Sequence, residues 1–436
     1  MTPQSQFTVV APLAAGREAG LRELLASMNS VAGVADPRNA VLPFGEFDRL
    51  HFARLALLTD GASRTLEDQG LPRTKFPTCL AFIGDCDGPS REFLAELSRR
   101  AGTGLREIFS HCEGFDPSGD LLAWMSAHDV PGGANYVNWV GRTVRQAKEE
   151  HALQRALRSR LSRESTHADT DVRADARMRW RELVSFVEAE VRSGRLALTP
   201  PEPTPLRWKL ANIAHAVAVP LIGLILFPFL LLLLPLLIVM LRIHESRDPE
   251  VCPPPDPAAV RAMQELEDHD VTNQFTALGL VKPGLFRRWL LTVLLLLTDY
   301  ACRHVYTRGR LTRVQTIHFA RWSFVDGKAR VLFVSNYDGG HEAYMDDFIN
   351  KVGWGLNILF SNGFGWPHTD WLVLRGARRE QPFKHYQRGH QLPSQVWYNA
   401  RAGLTVADLV RNRRIREGIE SAELSDGEAL AWLRLL

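Results

Sequence analysis

The sequence predicts an α+β protein: two β-α-β-β-α-β repeats packed sheet to sheet, with a helical insert and a hydrophobic membrane anchor between them. Three observations carry this expectation. They are a series of colinear internal matches, the same order of strand and helix patterns in each copy, and one long uncharged apolar run. A chain of 436 residues has room for two or three domains, and 45% hydrophobic with 23% charged residues suits a protein with real cores.

The internal matches come first. Gln6-Phe7-Thr8 recurs as Gln274-Phe275-Thr276, and Gly16 as Gly284, both shifted by 268 residues. His51-Phe52-Ala53-Arg54 recurs as His318-Phe319-Ala320-Arg321, shifted by 267. Asp87-Gly88 and Phe109-Ser110 recur as Asp338-Gly339 and Phe360-Ser361, shifted by 251. His128, Pro131, Tyr136, Gly141, Thr143 and Val144 recur as His390, Pro393, Tyr398, Gly403, Thr405 and Val406, all shifted by 262. Such colinearity with few length changes is the mark of a duplication. The largest length difference falls between Thr59 and Thr78, where the first copy has a longer loop.

Each copy then reads in one order. An apolar run (Phe7 to Pro12; Phe275 to Val281) predicts a strand, and a helical stretch follows (Arg17 to Met28; Leu285 to Val305). Two further strands are expected at His51 to Leu58 and Thr78 to Gly84, matched by His318 to Val325 and Arg330 to Ser335. The Asp-Gly turn opens a helix (Ser90 to Arg100; Glu342 to Val352), and a last strand is placed around Ile108 or Ile358. This order resembles the ferredoxin-like plan, whose sheet carries helices on one face and must bury the other. Two such units packed sheet on sheet resemble a dimeric α/β barrel, with a crevice between the sheets. The expected organisation is repeat one over 1–145, a basic helical insert over 146–205, the anchor over 206–245, a Pro-rich linker over 246–270, repeat two over 271–415 and a C-terminal helix over 416–436.

The insert is arginine-rich from Arg142 to Arg163, a second helix is expected over Asp171 to Val191, and proline clusters follow at Pro200 to Pro205 and Pro253 to Pro257. The arginine-rich helix reads either as a face for anionic lipid or as a solvated basic helix. Ile213 to Leu241 holds no Asp, Glu, Lys or Arg, and at about 1.5 Å per residue it is long enough for a bilayer core of about 30 Å. A single crossing would put the two repeats on opposite sides of the membrane. With Pro220, Pro228 and Pro235 inside it, the segment is expected to be a shallow re-entrant or hairpin anchor. The apolar stretch Trp289 to Leu297, flanked by Arg287 and Arg288, fits a helix at the interface. The repeats are expected on the cytoplasmic side. A net charge of +3 gives no reason to expect nucleic acid as a partner. Five cysteines without a CxxC pattern indicate reduced thiols, and Met1 to Phe7 shows no secretory signal.

Candidate chemistry sits in the repeated motifs. Strand alternation puts His51 and His318 on one face and Arg54 and Arg321 on the other, so that one set faces the crevice. Histidine there would transfer protons or ligate iron, and arginine would hold an anion. The plainer alternative is a core histidine and a paired arginine kept by the fold. Gly84-Asp85-Cys86-Asp87-Gly88 has the GxxDG spacing of dye-decolorising peroxidases, which are also two ferredoxin-like halves, around a haem. That resemblance implies haem as cofactor, Asp87 as the distal acid and Arg54 or Arg321 as its partner. The second copy, Ser335-Asn336-Tyr337-Asp338-Gly339, departs from the motif by lacking the first glycine, and no histidine is assignable as axial ligand. Alternatively both aspartates cap the next helix. Asn336 and Asp338 join the candidate set, with His341 and His368 as further polar residues of repeat two. His385, His390 and Tyr398 are expected near a loop.

Two function classes follow. One is a membrane-associated oxidoreductase, haem-dependent and peroxidase-like if the resemblance holds, acting on a lipidic or hydrophobic small molecule. The other is a non-catalytic, membrane-anchored module that binds lipid or docks a partner.

Overall fold

The computed structural model describes residues 1–68, 70, 74–164 and 176–436. It is a mixed α+β structure with one long apolar helix. The first part runs β1 (Gln4–Pro12), α1 (Glu18–Ser27), β2 (Asn29–Val31), β3 (Gly33–Ala35), β4 (Leu50–Leu58), α2 (Gly61–Asp68) and β5 (Cys79–Asp87). It continues through α3 (Ser90–Arg100), α4 (Gly102–Phe109), α5 (Leu121–His128) and β6 (Gly132–Val137). The middle is helical: α6 (Val144–Glu164), α7 (Ala176–Arg192), α8 (Leu206–Arg247) and α9 (Pro257–Gln264). The last part runs β7 (Thr272–Leu280), α10 (Leu285–His304), β8 (Ile317–Val325), β9 (Arg330–Asp338) and α11 (His341–Phe360). Two short strands, β10 (Thr369–Asp370) and β11 (Leu374–Arg375), precede α12 (Glu380–His390), β12 (Ser394–Asn399), α13 (Val406–Glu420) and α14 (Asp426–Leu433).

Strand pairing does not respect the division into halves. One sheet has the order β1-β5-β4-β12-β3-β2 and the other β6-β8-β9-β7. Thus β6, from the first part, pairs with β8, while β12, from the last part, pairs with β4. The registers correspond: Tyr136 lies opposite Ala320, and Tyr398 opposite Ala53. Just before each exchanged strand, isolated bridges join Asp129 to Val9 of β1 and Gln391 to Ala277 of β7, so the two sheets are linked at two further points.

The expected last strands around Ile108 and Ile358 are helical instead. In α4 the buried residues Leu105, Ile108 and Phe109 recur at helical spacing and press one face onto the sheet. Gly104 allows that approach, because a Cβ there would lie 1.7 Å from the Val41 carbonyl oxygen. The strand role passes to β6 and β12, about 25 to 40 residues further on. His385 and His390 lie on α12, His390 at its end beside the loop 391–393, and Tyr398 lies near the end of β12.

One core fills the space between the first sheet and helices α1, α3, α4 and α5, around Phe7, Leu21, Phe82, Phe93 and Ile108. A second lies under α10, α11 and α12, around Phe275, Leu295, Phe333, Phe348 and Trp366. Between the sheets sit two smaller clusters, Leu58, Ile83, Leu278, Leu332 and Val334 in one, and Phe52, Phe319 and Trp397 in the other. Every residue of β4 and β5 is buried, as required of strands covered on both faces. Each large apolar side chain so buried contributes about 1.5–3 kcal/mol.

The insert helices pack at the far end of the chain. Leu153 and Leu157 of α6 and Trp180 and Leu183 of α7 join Ile415 and Trp432 of α13 and α14 in one cluster. Of the expected second insert helix, 171–175 lie outside the described residues and the rest forms α7. The three prolines of α8 do not divide it: 42 residues run as one helix of about 63 Å. It is not a core helix, since every residue from Pro220 to Leu236 is exposed. Both of its ends touch the body at α10. Near the start, Arg303 Nε donates to Asn212 Oδ1 at 2.8 Å and Tyr300 Oη to the Ala216 carbonyl at 3.2 Å. Near the finish, His244 stacks on Phe286 at 5.1 Å, and Asp248 accepts from Lys282 Nζ at 2.7 Å and from Arg287.

Candidate functional site

The repeated arginines point between the sheets and each reaches across to the opposite one. Arg54, on β4, donates from Nη1 to the Phe275 carbonyl at 2.9 Å and Thr276 Oγ1 at 2.8 Å. Its Nη2 donates to the Ser335 carbonyl at 3.0 Å and to Asn336 Oδ1. Arg321, on β8, does the same in the other direction. Its Nε donates to Gln6 Oε1 at 3.0 Å, Nη1 to the Phe7 carbonyl and Thr8 Oγ1, and Nη2 to the Gly84 carbonyl at 2.9 Å and Asp85 Oδ1 at 3.3 Å. Every partner of Arg54 is the repeat counterpart of a partner of Arg321, with Asn336 standing where the other copy has Asp85. Asn336 and Asp85 also meet, at 3.2 Å from Nδ2 to Oδ2. Burial pulls the Arg54 guanidinium down to about 9, which still leaves it charged at neutral pH. Both guanidiniums are spent on protein acceptors, each on two backbone carbonyls and three side-chain oxygens, and offer no free face to a ligand.

The histidines do not alternate away from the arginines as expected. A bulge in the pairing falls between Leu50 and Phe52 and again between Ile317 and Phe319. An extra residue reverses the alternation of side chains, so imidazoles and guanidiniums both end between the sheets. His51 packs on Phe319 of the opposite strand at 5.2 Å, and His318 on Phe52 at 5.6 Å. Each is fixed by an aspartate: His51 Nε2 lies 2.9 Å from Asp87 Oδ1 and His318 Nε2 2.6 Å from Asp338 Oδ1.

Asp87 and Asp338 are therefore not caps of the helices that follow them. The N-cap positions of α3 and α11 are Pro89 and Gly340, neither with a capping side-chain bond. The second carboxylate oxygen goes elsewhere. Asp87 Oδ2 accepts from the Val144 amide at 2.9 Å and Asp338 Oδ2 from the Val406 amide at 2.6 Å. They hold the first turns of α6 and α13, where negative charge is favoured by the helix dipole. The glycines after them are required by backbone: Gly88 has φ 78° and Gly339 φ 84°, the left-handed region.

Between the two imidazoles lies a cavity of about 10 Å³, room for one water-sized centre, also lined by Arg142, Arg401, Phe319 and Asn138. With Nε2 bonded to carboxylate, Nδ1 of each ring carries the free lone pair. Among the described residues His51 Nδ1 has no partner, while His318 Nδ1 lies 3.5 Å from Arg401 Nη2. Burial holds the His318 imidazole below its ordinary value despite Asp338. An imidazole backed by a carboxylate, with its second nitrogen open, can accept and return a proton.

Haem does not fit this interior. A ligand of that kind needs a pocket of about 300 Å³ or more, and both Nε2 atoms are held by aspartates while both crossing arginines are saturated. The large cleft lies elsewhere, about 780 Å³ beneath the linker after α8. Cys252, Met263 and Leu266 face Tyr386 and His390 across it, and the Arg388–Glu267 ion pair, at 2.6 Å, lies at its edge.

The structure thus gathers all seven sequence-predicted residues between the sheets: His51, Arg54, Asp87, His318, Arg321, Asn336 and Asp338. Sequence reasoning missed Asp85, Arg142 and Arg401 and the whole cleft. Asp85 had a signal, as the second residue of the Gly84–Gly88 motif. Arg401 had none, because it has no counterpart in the other copy. Neither a protein-family model, a curated protein nor a solved structure matches this chain.

Proposed function

We propose that the chain is a membrane-anchored binding protein, held by α8 as a re-entrant arch and taking an apolar small molecule or lipid chain into the cleft beside the arch. The observation that carries this reading is the exposure of α8. Its middle, Pro220 to Leu236, meets no core, while both its ends bond to the same helix, α10. From His215 to His244 is 29 helical steps, about 43 Å, whereas α10 covers the 18 steps from Phe286 to His304 in about 27 Å. The two run antiparallel and are joined near both ends, and the surplus length of α8 supports an arch away from the body. Three prolines in the bowed part favour bending. Exposed Trp289, Leu296 and Leu297 on α10 extend the apolar surface.

Arg207, Lys209, Arg247, Arg288, Arg308 and Arg310 are exposed around the two ends. They suit anionic headgroups on a cytoplasmic face, as do five free cysteines. The cleft begins at Val251, four residues beyond the end of α8, so a molecule leaving the bilayer has a short route into it. In fold terms the exchanged strands and the two isolated bridges beside them support a pair of ferredoxin-like repeats closed into one barrel.

A second reading, a membrane-associated enzyme, is favoured by the open Nδ1 of His51 behind Asp87; proton transfer is the chemistry that pair supplies. The anchor is tested by flotation with vesicles of phosphatidylcholine and phosphatidylserine. The unmodified chain is expected to float, and a Leu230→Asp, Leu233→Asp variant to stay in the dense fraction, since each buried Asp costs about 2.5–3.5 kcal/mol. Equal flotation of both, or of neither, overturns the reading.

A further inference from the structure

The His51–His318 end of the interior contains more cationic hydrogen-bond donors than the protein can use. Arg142 and Arg401 are each 6% exposed, yet Nε and Nη2 of Arg142 and Nε of Arg401 have no acceptor among the described residues. Both arginines are held in place by other contacts. Arg142 stacks on Trp139 at 4.4 Å, and Arg401 lies over Phe52 at 5.1 Å with Nη2 beside His318. Leaving a buried charged donor unmatched costs more than leaving a neutral one.

The carboxylates nearby do not meet this demand. Asp87 and Asp338 each serve a histidine and a helix N-terminus. Glu150 is buried near Arg142, whose charge partly offsets the burial that pushes its carboxyl up; its Oε1 accepts from Arg413 at 3.3 Å, and its Oε2, without a partner among the described residues, forms no ion pair with Arg142. Asp85 lies deeper, on Arg321.

We propose that this cavity is a binding site for one small inorganic anion of halide size, held by Arg142 and Arg401. The inference is independent of the membrane reading. Three unpartnered donors belong to two permanent cations that line one cavity, and a halide can accept from all of them where a water accepts from two. A volume of about 10 Å³ excludes sulfate and phosphate and leaves a monatomic or similarly compact ion.

The test is crystallography of the full chain in sodium bromide with anomalous data, paired with thermal unfolding in bromide or gluconate at equal ionic strength. An anomalous peak between Arg142 and Arg401, with a saturable rise of a few degrees in bromide alone, is expected. Arg401→Gln is expected to remove both the peak and the rise, while Arg401→Lys, which keeps the charge, retains part of each. No peak at saturating bromide, with equal melting in both salts, overturns the proposal and leaves Arg142 to Glu150 and a buried water. A peak that survives Arg401→Gln unchanged identifies an adventitious ion only, and overturns it as well.

Discussion

Arg321 spans from β8 to the carbonyls of Phe7 and Gly84, and Arg54 from β4 to those of Phe275 and Ser335. Each guanidinium satisfies oxygens within two strands of the opposite sheet. Removing one leaves buried acceptors and, at Asp85, a buried carboxylate without its cation. Breaking such a set costs about 3–5 kcal/mol. Arg321→Met is therefore expected to lower the urea midpoint strongly with little change in slope. Arg54→Met, whose polar neighbour is the neutral Asn336, is expected to cost less. Equal loss in both, or none, would contradict the role given to Asp85. All four motif residues, His and Arg of each copy, were legible because they recur. Their direction was not, because a bulge at His51 and His318 is set by pairing with β5 and β9, which no local pattern displays.

At the scale of elements, most helices and strands sit where hydrophobic periodicity puts them. The exchanged strands β6 and β12 do not: six residues each, with two glycines opening β6, they carry little periodicity. Their partners β8 and β4 lie about 180 residues or more away in the chain. The long apolar helix α8 was legible from composition, and its attachments were not. Glu245, 4% exposed, accepts from Thr369 Oγ1 at 3.1 Å and from the amides of Trp371 and Leu372 at 3.0 and 2.9 Å. It thereby holds two residues at φ 58° and 61°, a conformation that non-glycine residues seldom adopt. The cleft arises where the linker and α9 lean over α12, so it belongs to no single element. Gly389 of α12 lines it, and a side chain there would enter open space. Gly389→Trp is expected to leave the fold intact and weaken binding of a fluorescent fatty-acid analogue at least tenfold; undiminished binding would place the ligand elsewhere.

For the whole molecule, the exchanged strands and the long apolar helix constrain each other. Each sheet takes one strand from the other part of the chain, β12 in the first and β6 in the second, so β1 to β6 and β7 to β12 must fold on the same side of any membrane. A helix that left the body at Leu206 and crossed a bilayer would separate them. The bonds of α8 to α10 at both ends meet that requirement. Topology labelling tests this most directly. In right-side-out and inverted vesicles carrying the full chain, Arg207→Cys and Arg247→Cys variants are reacted with a membrane-impermeant maleimide, against the unmodified chain as background. The re-entrant account predicts that both new cysteines react in the same vesicle orientation. Reaction of one in each orientation would mean that α8 crosses the membrane, and would contradict it.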